Sequence, residues 1–151
     1  MDSSKIAGPN RFRFWRQHVR TDGAGQTLVE FSLVLPIILI MMFALVDFGR
    51  AFYTWQVVTN SAREGARSAA VQLPDAQIRA AVNSSLSGLD TSKATITYPT
   101  GTPQGAKGTP IAVRVAYTFQ WVTPLGSMLT LVGGSSLSAP VITSTATMRL
   151  E

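Results

Sequence analysis

"GQTLVEFSLVLPIILIMMFALVD", Gly25–Asp47, decides how the rest of the chain is read. Sixteen consecutive positions, Phe31–Val46, carry no charge. As α-helix they rise about 24 Å; a start at Leu28 extends this to about 28 Å, close to a bilayer hydrocarbon core of about 30 Å. A run of this length and apolarity argues for a membrane span over a buried soluble helix. Leu28, Leu33, Leu35, Ile38, Leu39, Met42 and Leu45 are its membrane-helix residues. Pro36 withdraws one backbone donor, which membrane helices tolerate at the expense of a kink or soft spot. Glu30 then falls just inside the inner boundary. Asp47 marks the outer one, with Arg50 as its i,i+3 partner.

The flanks orient this segment. The formal net charge is +5, and residues 1–25 contribute most of it through Lys5, Arg11, Arg13, Arg16 and Arg20 against Asp2 and Asp22. After Val46 the next fifteen residues hold Arg50 as their one base. A basic flank stays cytoplasmic, so the N-terminus is expected inside and the rest of the chain outside. Phe12, Phe14 and Trp15 among the arginines also fit a nucleic-acid segment, but a topogenic flank explains them with fewer assumptions, and no nucleic-acid partner is expected. A cleaved secretory signal fits less well. The apolar run is longer than an ordinary h-region, and no small-x-small site follows Val46 before "DFGRAFYTW".

Composition agrees. The chain of 151 residues is 46% hydrophobic and 14% charged, against about a quarter charged in soluble domains. Cysteine is absent, which removes disulfides and thiolate chemistry. The one histidine, His18, precedes the apolar segment, so the remainder has neither His-based catalysis nor His-rich metal sites. No Ser-His-Asp set, H-E-x-x-H or P-loop occurs. The sequence therefore points to no enzyme, no cofactor and no metal.

Beyond Asp47 the helix is expected to continue to about Val71. Phe48, Phe52, Trp55, Ala62, Ala66 and Ala69 follow i, i+3/i+4 steps, with Thr59 filling the gap. The aromatic part suits an outer interface belt. The small part, with Gly65, lets another element approach closely. Glu64 and Arg67 are spaced as a surface ion pair. "QLPD" breaks the helix, and Asp75 is placed to cap a second one with Ile78, Val82 and Leu86 on one side. The rest reads as strand: "ATITY" (Ala94–Tyr98), "IAVRVAYTFQW" with Ile111, Val113, Val115, Tyr117 and Phe119 on one face, and "APVITSTATMRL" with Ile142, Ala146, Met148 and Leu150 partly on one face. A helical turn is expected around Met128. The fold class is α+β: a long N-terminal membrane-spanning helix running into a small extracytoplasmic domain, with a short second helix and a roughly three-stranded antiparallel sheet.

Gly25, four residues, Glu30 and an aromatic ahead of an apolar helix resemble the N-terminus of type IV-type prepilins. That resemblance implies cleavage by a prepilin peptidase between Gly25 and Gln26. Glu30 would become the fifth residue, meeting the new N-terminal amine of a neighbouring subunit, with Phe31 beside it. Residues 25–70, with "VEF", "LVLP", "VDFGR" and "AREGAR", resemble more closely the TadE-like family of the Tad (tight adherence) pilus system. Phe31 stands where Tyr is usual in major pilins, and the chain is longer than theirs; both departures point to a minor pilin or pseudopilin. The implied partners are the prepilin peptidase, other Tad pilins and pseudopilins, an inner-membrane assembly platform and membrane lipid. The expected organisation is a basic cytoplasmic leader (1–25), a transmembrane helix (26–47) and an extracytoplasmic domain (48–151). The alternative is an uncleaved signal-anchored envelope protein whose outer domain binds a ligand or envelope component.

Overall fold

The computed structural model describes residues 23–133 and 139–151. Lys5, the arginines at 11–20 and His18 lie outside them. In chain order come α1 (Gly23–Ala70), α2 (Asp75–Ser85), a 3-10 turn (Thr91–Lys93), β1 (Ala94–Thr97), β2 (Pro110–Thr118), α3 (Leu125–Gly133) and β3 (Val141–Arg149). The class is α+β, with one antiparallel sheet in the order β1-β2-β3. The chain forms two units, one ending at Leu35 and one running from Pro36 to Glu151. In the first, the described residues are the opening turns of α1. The second holds everything else.

Register and burial locate the core of the second unit. Ile96 pairs with Val115, Ala146 with Val113, and Met148 with Ile111. Because side chains alternate across a strand, Ile96, Ile111, Val113, Val115, Tyr117 and Ala146 share one face. Val58, Ala62, Ala66 and Ala69 of α1 and Ile78, Val82 and Leu86 of α2 join that face in one cluster. The opposite face carries Thr95, Thr97, Arg114, Thr143, Thr145 and Thr147, all exposed. The period-2 pattern of β2 is thus a one-sided sheet covered by helix.

Gly65 sets how closely α1 approaches. A Cβ there would lie 2.6 Å from Val82 Cγ2 and 3.0 Å from Val113 Cγ1, so a bare backbone is what lets α1 touch α2 and β2 together. Helix α1 ends after Ala70 with Gln72 at φ 56. Gln72 N–H reaches the Ala69 carbonyl and Leu73 N–H the Ser68 carbonyl, a Schellman-type closure. A glycine is the usual residue in that left-handed conformation. Here Gln72 takes it, and its Nε2 donates to the Gly105 carbonyl at 3.2 Å. The chain's end is fastened at the same place, Glu151 N–H donating to the Ala70 carbonyl at 2.8 Å.

Two local expectations, the cap of α2 and the Glu64–Arg67 pair, are corrected, and the α1 stripe resolves into two parts. Pro74, not Asp75, holds the N-cap position of α2, and no side chain caps it. Asp75 sits in the first helical turn, where a carboxylate suits the helix dipole, and accepts from Arg79 Nε at 2.7 Å and Tyr98 Oη at 2.6 Å. The α1 stripe splits: Ala62, Ala66 and Ala69 are fully buried, whereas Phe48, Phe52 and Trp55 are exposed. The buried face is centred about a quarter turn away from the aromatics, on Asp47, Thr54, Val58, Ser61 and Gly65. Finally, Glu64 and Arg67 form no ion pair among the described residues, since Glu64 is drawn half into the packed side of α1 while Arg67 stays in solvent.

Candidate functional site

Two features of α1 stand out: an apolar surface that none of the other described residues covers, and a buried carboxylate where that surface ends. The first begins in the unit that closes at Leu35. Gly25, Gln26, Leu28, Glu30, Phe31, Leu33 and Leu35 are all exposed there, Leu28 at 69%. Gln26 Nε2 donates to Glu30 Oε1 at 3.1 Å, so positions 26 and 30 share one helix face, a turn apart. Ser32 Oγ returns to the Val29 carbonyl at 2.8 Å, hiding a hydroxyl that would otherwise stand bare on an apolar helix.

In the second unit Pro36 lies inside the helix and lacks the N–H for an i→i−4 bond. Ile38, Leu39, Met42 and Leu45 follow, all exposed. The segment is long and apolar enough to cross a membrane, and none of its best window is buried within the chain. A soluble core helix would have its apolar face enclosed; this one exposes its aliphatic side chains all round, as a lipid-facing helix does.

Asp47 ends the apolar surface and is fully buried. Its carboxylate accepts from Val122 N–H at 3.2 Å, Thr123 N–H at 3.4 Å and Thr123 Oγ1 at 2.5 Å. Arg50 lies 3.8 Å away and half-exposed. Its guanidinium donates to the Gln120 carbonyl at 3.3 Å and stacks over the Phe119 ring, 5.5 Å from the centroid. The loop from Phe119 to Thr123 is therefore clasped to α1 within about one turn of the end of the apolar segment. Burying a carboxylate costs several kcal/mol, and hydrogen bonds to a charged group each return about 1.5–3 kcal/mol. The balance is small, so the arrangement fixes where the loop sits more than it adds stability.

Asp47 is also the first of a series. Asp47, Thr54, Ser61 and Ser68 recur every seven residues and are all buried. Ser61 Oγ satisfies itself on the Val57 carbonyl at 2.9 Å. Reading the sequence identified Asp47 and Arg50 as a boundary pair but missed Gln120, Val122 and Thr123 as their partners. No short-range signal marks a contact across 75 residues; the one hint is Thr123 ahead of Pro124, a loop threonine free to turn its hydroxyl outward.

Among the described residues no three His, Cys, Asp or Glu side chains converge on a metal position. A cleft of about 280 Å³ lies between Arg50, Thr54, Gly88, Lys93 and Tyr117. Its two cations are occupied by Asp47 and Asp90 and both also reach Gln120, which leaves no free charge aimed into it.

Comparison with curated proteins gives no match, and neither does comparison with solved structures. The family model that matches does so within α1. The model of the TadE-like protein family matches residues 25–67, from the exposed apolar surface down into the buried stripe.

Proposed function

We propose that this chain is a minor pilin or pseudopilin-like assembly protein of a Tad pilus. It is held in the bacterial cytoplasmic membrane with its N-terminus inside, processed after Gly25, and joined to sibling subunits through the exposed face of α1. The observation that carries the reading is the coincidence of the family match with that face: the match begins at Gly25, includes Glu30 and Phe31, and runs along the apolar surface that the chain itself leaves uncovered. Lipid covers it before assembly, and neighbouring α1 helices cover it afterwards. The domain that follows contacts neighbours or the outer surface. No catalytic role enters.

The chemistry at the start of α1 suits such a step. Cutting the Gly25–Gln26 bond creates an ammonium at Gln26, one helical turn from the Glu30 carboxylate. Each charge alone is costly at the edge of a lipid phase, and pairing recovers much of that cost. A neighbouring subunit's amine pairing with Glu30 would fix the axial register between two α1 helices. The prepilin peptidase, sibling pilins and an inner-membrane platform are the partners this requires.

N-terminal sequencing of the protein recovered from membranes tests the processing: the mature chain should start at Gln26. Glu30→Gln should leave membrane insertion intact and reduce recovery in assembled pili or assembly complexes at least tenfold. An intact residue 1–25 segment, together with indifference to Glu30→Gln, would instead favour the uncleaved anchor.

A further inference from the structure

Between Arg114 and Arg149 the chain has no charged residue, and α3, "LGSMLTLVG", lies within that stretch. A short amphipathic helix in a water-soluble domain buries its large side chains on the core. Here Leu131 is 87% exposed and Met128 45%, while Leu125 and Leu129 are half-buried. Val122, just ahead of the helix, is also exposed. The polar Ser127 and Thr130 line a hollow with Gln120, Trp121 and Thr123, so the helix has a polar side and an apolar one, and the core takes up neither.

Its location supplies the occupant. Val122 and Thr123 are hydrogen-bonded to Asp47, and Gly126 packs so tightly on Trp121 that a Cβ there would come within 2.7 Å of Trp121 Cδ1. The start of α3 is thus held at the height where the uncharged run of α1 stops. Exposed Leu45, Val46 and Phe48 lie at that height on α1, and Val122, exposed and hydrogen-bonded through its N–H to Asp47, brings an apolar side chain to the same level just ahead of Met128 and Leu131.

We propose that α3 is an interfacial helix whose Met128 and Leu131 side chains enter the outer leaflet, at the level between headgroups and acyl chains, beside α1. This rests on the reading of α1 as a membrane span. Lipid is favoured over a second copy because three exposed apolar side chains fall far short of the roughly 800 Å² per partner of a stable protein interface. Insertion depends on apolar area alone, since the segment has no Lys or Arg to seek anionic lipid. The domain is then attached to the bilayer at two places, and its height above the membrane is fixed.

The chain has no cysteine, so single nitroxide labels are straightforward. Leu131→Cys, Leu39→Cys and Thr147→Cys would be placed in the full chain, reconstituted in phosphatidylcholine vesicles, and their accessibility to oxygen and to a nickel chelate measured. All three positions are exposed, so the substitutions remove no packing within the chain. The expected result is a deep label at 39, a water-accessible label at 147, and a label at 131 lying about 5–10 Å below the phosphate level. The depth at 131 should not change when anionic lipid or salt is added. A label at 131 as water-accessible as that at 147, with 39 still deep, overturns the proposal and leaves the span intact. Spin–spin broadening at 131 that disappears on dilution with unlabelled chain, without lipid depth, overturns it in favour of a second copy. Water access at 39 would remove the span itself and the proposal with it.

Discussion

Helix α1 is one continuous element that solves two opposite problems. From Leu28 to Val46 its large aliphatic side chains are exposed; from Ser61 to Ala70 its buried positions are alanine, glycine and serine. Volume explains the difference. The exposed part has no protein against it and presents bulk to its surroundings, while the buried part lies against α2 and the sheet, where Gly65 leaves no room even for a methyl group. Hydrophobicity alone would rank the exposed part as core. The side chains that actually form the core of α1 are among the smallest in the chain. Apolar bulk on a helix therefore reports the environment the helix needs, and small residues report where its own fold already provides it.

This contrast can be broken from either side. Ala66→Asp should have the largest effect. It leaves an unpaired carboxylate in a fully buried position, costing on the order of 5 kcal/mol, enough to unfold a domain of ordinary stability. Loss of the cooperative thermal transition, followed by circular dichroism in detergent, would register it. Leu39→Asp is the mirror experiment. A carboxylate at the centre of a span costs about 3 kcal/mol of insertion, so membrane-integrated protein should fall on carbonate extraction while the melting temperature of the folded domain stays within a degree or two. Were Leu39→Asp to lower domain stability as much as Ala66→Asp, the two parts of α1 would not be distinct.

Gly65→Val ranks next. Its added carbons meet Val82 and Val113, and overpacking of this kind costs about 1–3 kcal/mol, readable as a lower urea midpoint with an unchanged slope. Gly49 has open space around it, so Gly49→Ala should be neutral or slightly stabilising, as expected for glycine in a helix. The pair sharpens the boundary between enclosed and open helix to within a few turns.

The smallest effect is in pH dependence, at the contact that ties α2 to the end of β1. Hydrogen bonds from Tyr98 and Arg79 hold the Asp75 carboxyl below its usual value. Burial, and then the bond to Asp75, push the Tyr98 phenol up to about 12. A lowered carboxyl contributes stability that is present above the unfolded value near 4 and lost as pH falls through the folded one. A raised phenol contributes stability that is present below about 10 and lost as pH rises through about 12. Asp75 is half-exposed, so screening keeps the acid effect slight. Melting temperature against pH should show a plateau between these limits, and Tyr98→Phe should flatten its alkaline edge.

How much of this was legible in the sequence depends on the range of the interactions. The apolar run, the alternation in Ile111–Phe119, and Ile78, Val82 and Leu86 are local patterns, and each forms the element it suggests. Phe48, Phe52 and Trp55 satisfy helical spacing with the alanines but stand outside the core, because periodicity says which residues share a face and not which face is enclosed. The clasp between Asp47 and Thr123 was invisible for a different reason: hydrogen bonds across such a separation leave no periodic trace. Pro74 holds the cap with φ −55° and ψ 145°, an extended conformation its ring permits, and the helix therefore starts at Asp75. Of the candidate site, the surface residues at 25–45 were legible as a class. The processing and assembly roles proposed for them depend on other molecules, which no pattern within one chain encodes.

The seven-residue series Asp47, Thr54, Ser61 and Ser68 has a mechanical consequence. An all-aliphatic seam could slide or rotate by a notch and find new contacts of equal quality. A polar rung held from across the seam cannot: Asp47 would be dragged away from the Val122 and Thr123 donors that satisfy it. A pull along the helix axis must break the Asp47 clasp before the buried Thr54, Ser61 and Ser68 can shift, so the domain should follow its helix under tension as a single body and fail abruptly, without first creeping.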